Sequence, residues 1–511
     1  MRQQLAERIP ILSHVDQPII DEVSALYEKI RDLHQARRNG MWWQMVTNAF
    51  APALQGRFDY VVGNPPWVSW ETLPEKYRRD NDEHWVRYRL RPDSPLNRRQ
   101  ASENVRLDLS MLFVARCMDR YLVDGGKLGF VITWTVFQSE LAGRGFRRRH
   151  LPPDSIYSFL HIDDMATLKV FEDATNQTAV LIAEKITSDR KTIPVTRWTG
   201  IQSQTIPTSL EIDNVREITI RRNLFAEPVD PTDEASPLLV MPRIGIESTR
   251  PIRRRSKYLE TIREGINTRG ANGIFFVEVL SQEGSFLRVR NLPEEGRRRE
   301  LWQAEGLVEK EAIKKLLRGE DVSPGEARPS LGILLFHDDE HVSYPLSPSE
   351  ARDYYPEAFE FISQFEQILR SRHRFRNFDP TGENWLGIYS VTTAALAQHK
   401  VVIREIARGM IAAAVHGADI IPDHKLYVIP CKNASEADLL ATILNSRVIS
   451  YLVSSFSIST SITGSVFRYV GIPDLSEIEP EQDQELTIAK ALGISLDAYR
   501  KLDSIARTEM R

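Results

Sequence analysis

"FDYVVGNPPWVSW", residues 58–70, carries an apolar run into a glycine, an asparagine, two prolines and a tryptophan. Phe58 to Val62 has the length of a short buried strand. Gly63-Asn64-Pro65-Pro66 must end it, because proline cannot donate to a sheet ladder and restricts the residue before it. Trp67 follows at once. The chain therefore places a side-chain amide and an indole ring at a strand end and stiffens the backbone between them.

The surroundings extend this strand into an α/β pattern. From Asp108, the residues Val114, Cys117, Met118, Tyr121 and Leu122 make a helical face, and Asp124-Gly125-Gly126 is expected to stop that helix. Leu128–Thr133 then reads as a buried strand. Ile156–Ile162 and Thr178–Ala183 read as two more, the closing pair forming a hairpin. Strand, helix, strand, strand, strand is the order of an α/β sheet, whose ligands bind beyond the carboxyl ends of the strands. Asn64 and Trp67 sit at such an end.

An exocyclic amino nitrogen is a poor nucleophile because its lone pair is delocalised into the ring. Two acceptors held at its hydrogens favour the pyramidal form that attacks a methyl group. Asn64 offers a side-chain oxygen and Pro65 a backbone carbonyl in a stiff loop. Trp67 offers a flat apolar face, and stacking a base on an aromatic ring is worth roughly 1–3 kcal/mol. The set fits an extruded adenine or cytosine. A bare Asn-Pro-Pro is more often a strand-ending turn beside a core tryptophan. Here the preceding apolar strand with Asp59, the immediate aromatic and the following α/β pattern favour the chemical reading.

The rest of the chain sets the frame. At 511 residues it is long enough for two or three domains. Its composition, 42% hydrophobic and 27% charged with both signs represented, is that of an ordinary globular protein. The N-terminus MRQQLAERIP lacks a signal-peptide core and no run of about 18 apolar residues occurs, so the expected location is the cytoplasm, with no membrane partner. Cys117 and Cys431 stand far apart without companions at metal-ligand spacing, so neither a disulfide framework nor a metal site is expected. A net charge of −4 gives no global attraction to nucleic acid, which leaves local clusters. These are Arg144 with Arg147 to His150; Arg250 with Arg253 to Arg255 and Lys257; Arg297 to Arg299; and Arg370, Arg372, His373, Arg374 and Arg376. For any one of them a solvated surface run is the ordinary reading.

Residues 1–50 read as helical and polar, with Ile19, Ile20, Val23, Leu26, Tyr27 and Ile30 at helical spacing ahead of Met41, Trp42 and Trp43. Residues 71–106 read as a charged loop. The polar, proline-bearing stretch 186–240 reads as an inter-domain connection. Beyond it, Ile274–Val279, Leu331–Phe336, Val401–Ile406 and Leu426–Ile429 are strand-like, and one strong helix is expected over Ala437–Ser454.

The stretches FDYVVGNPPW, DLSMLFVARCMDRYLVDGGKLGFVIT and FLHIDDMATLKVFEDATNQTAVLIAEK resemble the gamma-class amino methyltransferases of DNA that act on adenine N6. The likeness is greatest to large members from restriction-modification and from BREX or DISARM phage defence. The resemblance implies that Asn64, Pro65 and Pro66 form the catalytic loop (motif IV) and that Trp67 stacks on the target base. Phe171, at the motif VIII position, would pack on the opposite face. S-adenosyl-L-methionine would be the methyl donor, with Asp108 a candidate contact to it, and double-stranded DNA the substrate, with no metal in the reaction. EGINTRGANGIFFV, VEKEAIKKLLRGEDV and LLATILNSRVISYLV are similar to the target-recognition domain of that family, which makes Arg372, Arg374 and Arg376 candidate DNA contacts; Arg147 and Arg148, in the first basic cluster, are candidates as well.

The implied fold class is α/β: a partial Rossmann-like sheet carrying motifs IV to VIII, then a mixed α/β recognition domain. The expected division is an N-terminal helical segment (1–50), the C-terminal part of a catalytic domain (51–190), a linker (191–240), a recognition domain (241–475) and a helical tail (476–511).

The family binds its methyl donor mainly through a glycine loop after a first strand and an acidic residue after a second, both upstream of motif IV. Residues 1–57 show no such pattern. Gly270-Ala271-Asn272-Gly273 precedes a strand instead of following one and reads as a turn. The motif IV strand would then form an exposed apolar edge. Either the N-terminal helices shield it, or a separate chain or upstream segment supplies the cofactor-binding half. A non-catalytic DNA-binding specificity module is the alternative reading. A fused nuclease would need an acidic residue followed by Glu-x-Lys, and no convincing instance occurs. A methylase of RNA or of protein glutamine is disfavoured by the large C-terminal domain.

Overall fold

The computed structural model describes residues 17–36, 56–91, 106–171, 176–186, 192–207, 209–296, 301–372, 383–407, 409–457, 462–476, 478 and 481–510. The chain begins with helix α1 (Gln17–Gln35), and Met41, Trp42 and Trp43 lie outside the described residues. Phe58–Gly63 forms β1, and Leu122–Thr133 forms β2 beside it in parallel. The connection between them carries α2 (Glu75–Arg87) and α3 (Leu109–Arg120). A parallel pair needs such a crossover, and α3 covers it. Leu109, Met111, Val114 and Met118 of α3 share a core with Leu128, Phe130 and Ile132 of β2.

The sheet continues through β3 (His150–Leu151), β4 (Ser155–Met165), β5 (Thr178–Ile186), β6 (Ile193–Gly200), β7 (Thr219–Pro228) and β8 (Leu238–Met241). Its spatial order is β1-β2-β5-β4-β6-β7-β8, with β3 paired to β4. β4 and β5 are the expected antiparallel hairpin, inserted so that β5 lies against β2.

The stretch 71–106 was expected as loop, yet 75–87 is helical. Trp85 is fully buried, its ring 5.2 Å from that of Trp70, and Tyr88 donates to Asp119 at 2.9 Å. Two anchors three residues apart suffice for one face, and the surrounding charges occupy the solvent side.

The helix expected to stop at Asp124-Gly125-Gly126 ends at Arg120, and the glycines lie inside β2. There the pairing with β1 shifts between Phe58 and Tyr60. Gly125 has φ +81°, and a Cβ on Gly126 would stand 2.9 Å from the Val123 carbonyl, so this pair forms a bulge rather than a cap.

The stretch 186–240, expected as a connection, supplies β6, β7 and β8 of the same sheet. Pro194 and Pro228 are tolerated because they occupy strand ends, while Val195, Leu224, Ala226 and Val240 are buried.

The second half holds β9 (Arg263–Glu264), β10 (Phe276–Glu283), β11 (Phe286–Asn291), β12 (Glu305–Glu309), β13 (Ile313–Leu317), β14 (Val322–Ser323), β15 (Glu326–Ala327) and β16 (Leu331–Leu334). It continues with β17 (His399–Arg404), β18 (Ala412–His416), β19 (Ile420–Pro422) and β20 (Leu426–Cys431). A six-stranded sheet runs β12-β11-β10-β16-β13-β19, and a four-stranded one runs β18-β17-β20-β9. The architecture is thus mixed α/β, a large sheet joined to further sheets and helices.

The single helix expected over 437–454 is two, α4 (Ala434–Leu444) and α5 (Arg447–Phe456), meeting at 59°. Asn445 breaks the run, because its side chain accepts from the Ala412 amide at 2.9 Å and donates to the Ala412 carbonyl at 2.8 Å. Ser446 then caps α5. Helices α6 (Gln484–Leu492) and α7 (Leu496–Glu509) follow. One core joins Leu239 and Met241 of β8 to Val401 and Ile403 of β17, Leu440 of α4, Leu452 of α5 and Leu492 of α6. The last strand of the first sheet is therefore packed into the C-terminal half. Among the described residues no single helix is long and apolar enough to cross a membrane.

Among the described residues β1 forms the edge of the large sheet. Phe58, Tyr60 and Val62 alternate along it and are 42%, 72% and 82% exposed. The same face continues half-open across Gly129 and Val131 of β2 and Val180 and Ile182 of β5, whereas Leu128, Phe130, Ile132, Ala179, Leu181 and Ala183 on the opposite face of those strands are buried. Parallel strands are normally covered on both faces, so this surface has the character of an interior left open.

A buried histidine in the second half gives a stability test. His337 is 4% exposed; its Nδ1 lies 3.0 Å from the His341 carbonyl, and its Nε2 accepts from the Ile388 amide at 3.1 Å. Burial pushes its pKa down to about 4. The unfolded chain binds that proton near pH 6.5, so stability is full above 6.5 and falls as pH drops toward 4, by up to about 3 kcal/mol. Urea midpoints between pH 7 and pH 4.5 are expected to fall more steeply for the wild type than for His337→Gln. Equal slopes would remove His337 as the cause.

Candidate active site

β1 ends against β2, where a Cβ on Gly63 would stand 3.3 Å from the Phe130 ring. Beyond it Asn64 is exposed, Pro65 buried, Pro66 exposed and Trp67 half-buried. This alternation presents the amide outward from a backbone pinned at its neighbours. Trp67 donates from Nε1 to the Val131 carbonyl at 3.1 Å. Downstream, the Leu109 amide donates to the Val68 carbonyl at 3.0 Å and the Trp70 amide to the Leu107 carbonyl at 2.8 Å. Both ends of the loop are thereby tied to the strand and helix that flank it.

Phe171, expected to face Trp67 across a base, stands beside it. The ring centroids are 5.4 Å apart and the planes are at 76°, an edge-to-face contact. A base slotted between the rings would have to part them. The segment bearing Phe171 is braced from the stretch read as linker. The Lys169 amide donates to the Gln204 carbonyl at 2.7 Å, the Ile206 amide donates to the Lys169 carbonyl at 3.1 Å, and Leu168, Trp198 and Ile206 form a small core beneath. Trp198 was the available signal in the sequence, an aromatic in a stretch otherwise read as polar connection.

Asp108, a candidate cofactor contact by resemblance, caps α3. Its Oδ1 accepts from the Ser110 amide at 2.8 Å and its Oδ2 from the Thr133 hydroxyl at 2.7 Å, which ties the helix start to the end of β2. It borders a cleft of about 650 Å³ between the ends of β2 and α3 and the turn Thr463–Arg468. That second wall is fixed to the first, since the Tyr469 hydroxyl lies 2.9 and 3.0 Å from the two Glu140 carboxylate oxygens. Burial and the Glu140 charge push the Tyr469 phenol well above its usual range, so it remains a donor at neutral pH. Gln138 adds a bond to the Ser455 carbonyl at 3.4 Å. No spacing rule in the sequence links residues 106–142 to 463–469; only tertiary packing brings them together.

Two of the expected DNA contacts are corrected by burial. Arg147 is 1% exposed and donates to the carbonyls of Ala235 at 2.9 Å, Val136 at 3.0 Å and Ser139 at 2.8 Å. Arg372 is 2% exposed, donates to the Leu369, Thr268 and Trp385 carbonyls, and lies over the Phe275 ring. Both guanidiniums hold loops together and neither reaches a phosphate. Arg148 is half-buried, and Arg374 and Arg376 lie outside the described residues. Cys117 and Cys431 are free and half-buried, and burial raises their thiols to about 11 and about 12, so neither is a ready nucleophile. Among the described residues no cluster of His, Cys, Asp or Glu is arranged to hold a metal.

Among the described residues, no strand–glycine loop–helix unit with an acidic partner adjoins β1. Asp108 is committed to its cap.

Trp67 is the cheapest contact to test. Trp67→Phe keeps a ring and loses the donor to Val131, which is expected to cost about 1 kcal/mol in urea denaturation. A neutral result would mean that water replaces the indole nitrogen.

Residues 12–171 match the model of a protein family, "Eco57I restriction-modification methylase". A 98-residue stretch is 35% identical to the Type II methyltransferase M.XhoI of Xanthomonas vasicola, covering 19% of this chain and 15% of that protein. Among solved structures, the chain is similar to the Type IIL restriction-modification enzyme MmeI in complex with DNA, at 12% identity and a TM-score of 0.47. The similarity covers 88% of this chain and 54% of that one. A nuclease-deletion mutant of the Type ISP enzyme LlaGI, in complex with a DNA substrate mimic, matches at 12% identity and a TM-score of 0.35, over 89% of this chain and 42% of that one. The chain thus spans about half the length of MmeI. The segment that holds both the Asn64 loop and Phe171 thus lies within residues 12–171, which are similar to restriction-modification methylases of the Eco57I family.

Proposed function

We propose that this chain is the catalytic-loop and target-recognition portion of a site-specific DNA methyltransferase that modifies adenine at N6. The observation that carries the reading is the Asn64 loop itself. An exposed amide stands at the carboxyl end of β1, Pro65 beside it is buried, and Trp67 is locked to Val131 with Phe171 at its edge. In this reading Asn64 Oδ1 and the Pro65 carbonyl accept the two hydrogens of the adenine amino group, which localises the nitrogen lone pair. S-adenosylmethionine supplies the methyl group; the new bond is N–C, the bond broken is C–S, and the nitrogen loses one proton. Trp67 and Phe171 receive the flipped base, which requires their edge-to-face contact to open.

The methyl donor is then held by a separate chain or an upstream segment. Support for this is the open apolar face at Phe58, Tyr60 and Val62, beside the loop and at a strand edge suited to a further parallel strand. The same opening favours the second reading, a DNA-binding specificity module without its own catalysis. One assay separates them. Protection of target DNA through adenine methylation is measured for the chain alone and for the chain mixed with the polypeptide encoded immediately upstream. Methylation in the mixture is expected; none in either case leaves the specificity module and ends the enzyme reading.

A further inference from the structure

The cleft bordered by Asp108, which bridges to Ser69 just beyond the Asn64 loop, has two walls of different origin, each bearing an arginine. Arg106, just before α3, and Arg468, on the turn Thr463–Arg468, both line it and both are exposed. Neither forms an ion pair among the described residues. The two carboxylates in the same cleft are already engaged: Asp108 by Ser110 and Thr133, and Glu140 by Tyr469. The two carboxylates are half-buried and already hydrogen-bonded, whereas both guanidiniums are exposed, so the charged groups most open to a visitor are the two arginines, with hydroxyls beside them. Thr463 and Ser465 bond to each other at 2.6 Å, which uses one hydroxyl hydrogen and leaves the other free to donate. The Ser139 hydroxyl, on the opposite wall, is buried without a partner. The turn that bears Arg468 is rigid, since Val466 and Phe467 are buried beneath it and Tyr469 is fastened to Glu140.

We infer that this cleft grips one phosphodiester backbone from both sides, Arg106 from the sheet wall and Arg468 with the Thr463–Ser465 hydroxyl pair from the C-terminal wall. The inference rests on the reading of the substrate as DNA and gives it a location. The strand carrying the target nucleotide is held against the mouth of the Asn64 loop, and the C-terminal half takes part in the reaction centre beyond reading sequence. Charged donors at fixed positions suit phosphate oxygens, and each phosphate so neutralised releases counterions.

The test is fluorescence anisotropy of a labelled duplex with the full chain, titrated at several salt concentrations. Arg106→Ala and Arg468→Ala are each expected to weaken binding several-fold and to make the log–log salt slope shallower by about 1. Arg468→Lys is expected to restore most of the slope. Arg216→Ala, which removes an exposed charge far from the cleft, controls for net charge and should leave both quantities unchanged. Unaltered affinity and slope in the two cleft variants, with the wild type binding normally, overturn the clamp and leave the DNA reading standing. Weaker binding with an unchanged slope overturns it as well, because a lost phosphate contact must appear in the slope. A wild type that shows no salt-dependent binding ends the DNA reading itself.

Discussion

Asn64→Ala is expected to lower methyl transfer by about a hundredfold or more, while duplex binding stays within about twofold of wild type. The reason is geometric. Asn64 is exposed at the strand end and its side chain makes no hydrogen bond among the described residues, whereas its neighbours carry the anchoring: Pro65 by burial and Trp67 through Val131. Removing the amide takes an acceptor from the reacting amine and leaves the loop in place. Asn64→Asp keeps an oxygen but brings a negative charge, which would hold the amine and distort the charge balance of the transition state, so intermediate activity is expected. The assay is tritium incorporation from the methyl donor, with the upstream polypeptide present, alongside anisotropy for binding. Parallel loss of both quantities would make Asn64 a DNA contact or a folding residue and remove it from catalysis.

The second large effect belongs to an arginine that looks like a DNA contact in the sequence. Arg147→Met is expected to cost about 3–5 kcal/mol of stability, read from urea midpoints at pH 7. The guanidinium draws together the carbonyls of Val136, Ser139 and Ala235, so methionine fills the volume and leaves those acceptors without their donor. Burial lowers the Arg147 pKa only to about 10, so the charge is present at neutral pH and its bonds are charge-assisted. DNA affinity per folded molecule should be unchanged. A stable variant that loses DNA binding would return Arg147 to the interface.

These two residues show where sequence reading succeeds and where it stops. Asn64, Trp67 and the strand before them were legible because each signal is local: an apolar run, two prolines that end it, an aromatic that follows. The hairpin of β4 and β5 was legible for the same reason. Arg147 and Arg372 were misread because a run of arginines looks the same whether it faces water or caps buried carbonyls. Residues 186–240 were misread as a connection because proline and polar content outweighed short strands whose prolines sit at their ends. The helix Glu75–Arg87 was missed because two buried aromatics carry its packing, too few to set a period.

The sequence by itself determined the strand end and its chemistry: which residue offers an amide, which bonds stiffen the loop and which ring follows. It also marked β1 as an apolar edge in need of a cover, and Tyr60 and Val62 are exposed there. Only the tertiary structure decided that the cleft wall facing Asp108 and Glu140 is built by Thr463–Arg468, that Phe171 meets Trp67 edge to face, and that Trp198 braces it. The physical reason is range. Turn chemistry and hydrophobic periodicity act over a few residues and are written in order along the chain. Burial, charge pairing and cleft walls depend on which distant segments share a core, and here one core joins β8 to the C-terminal helices.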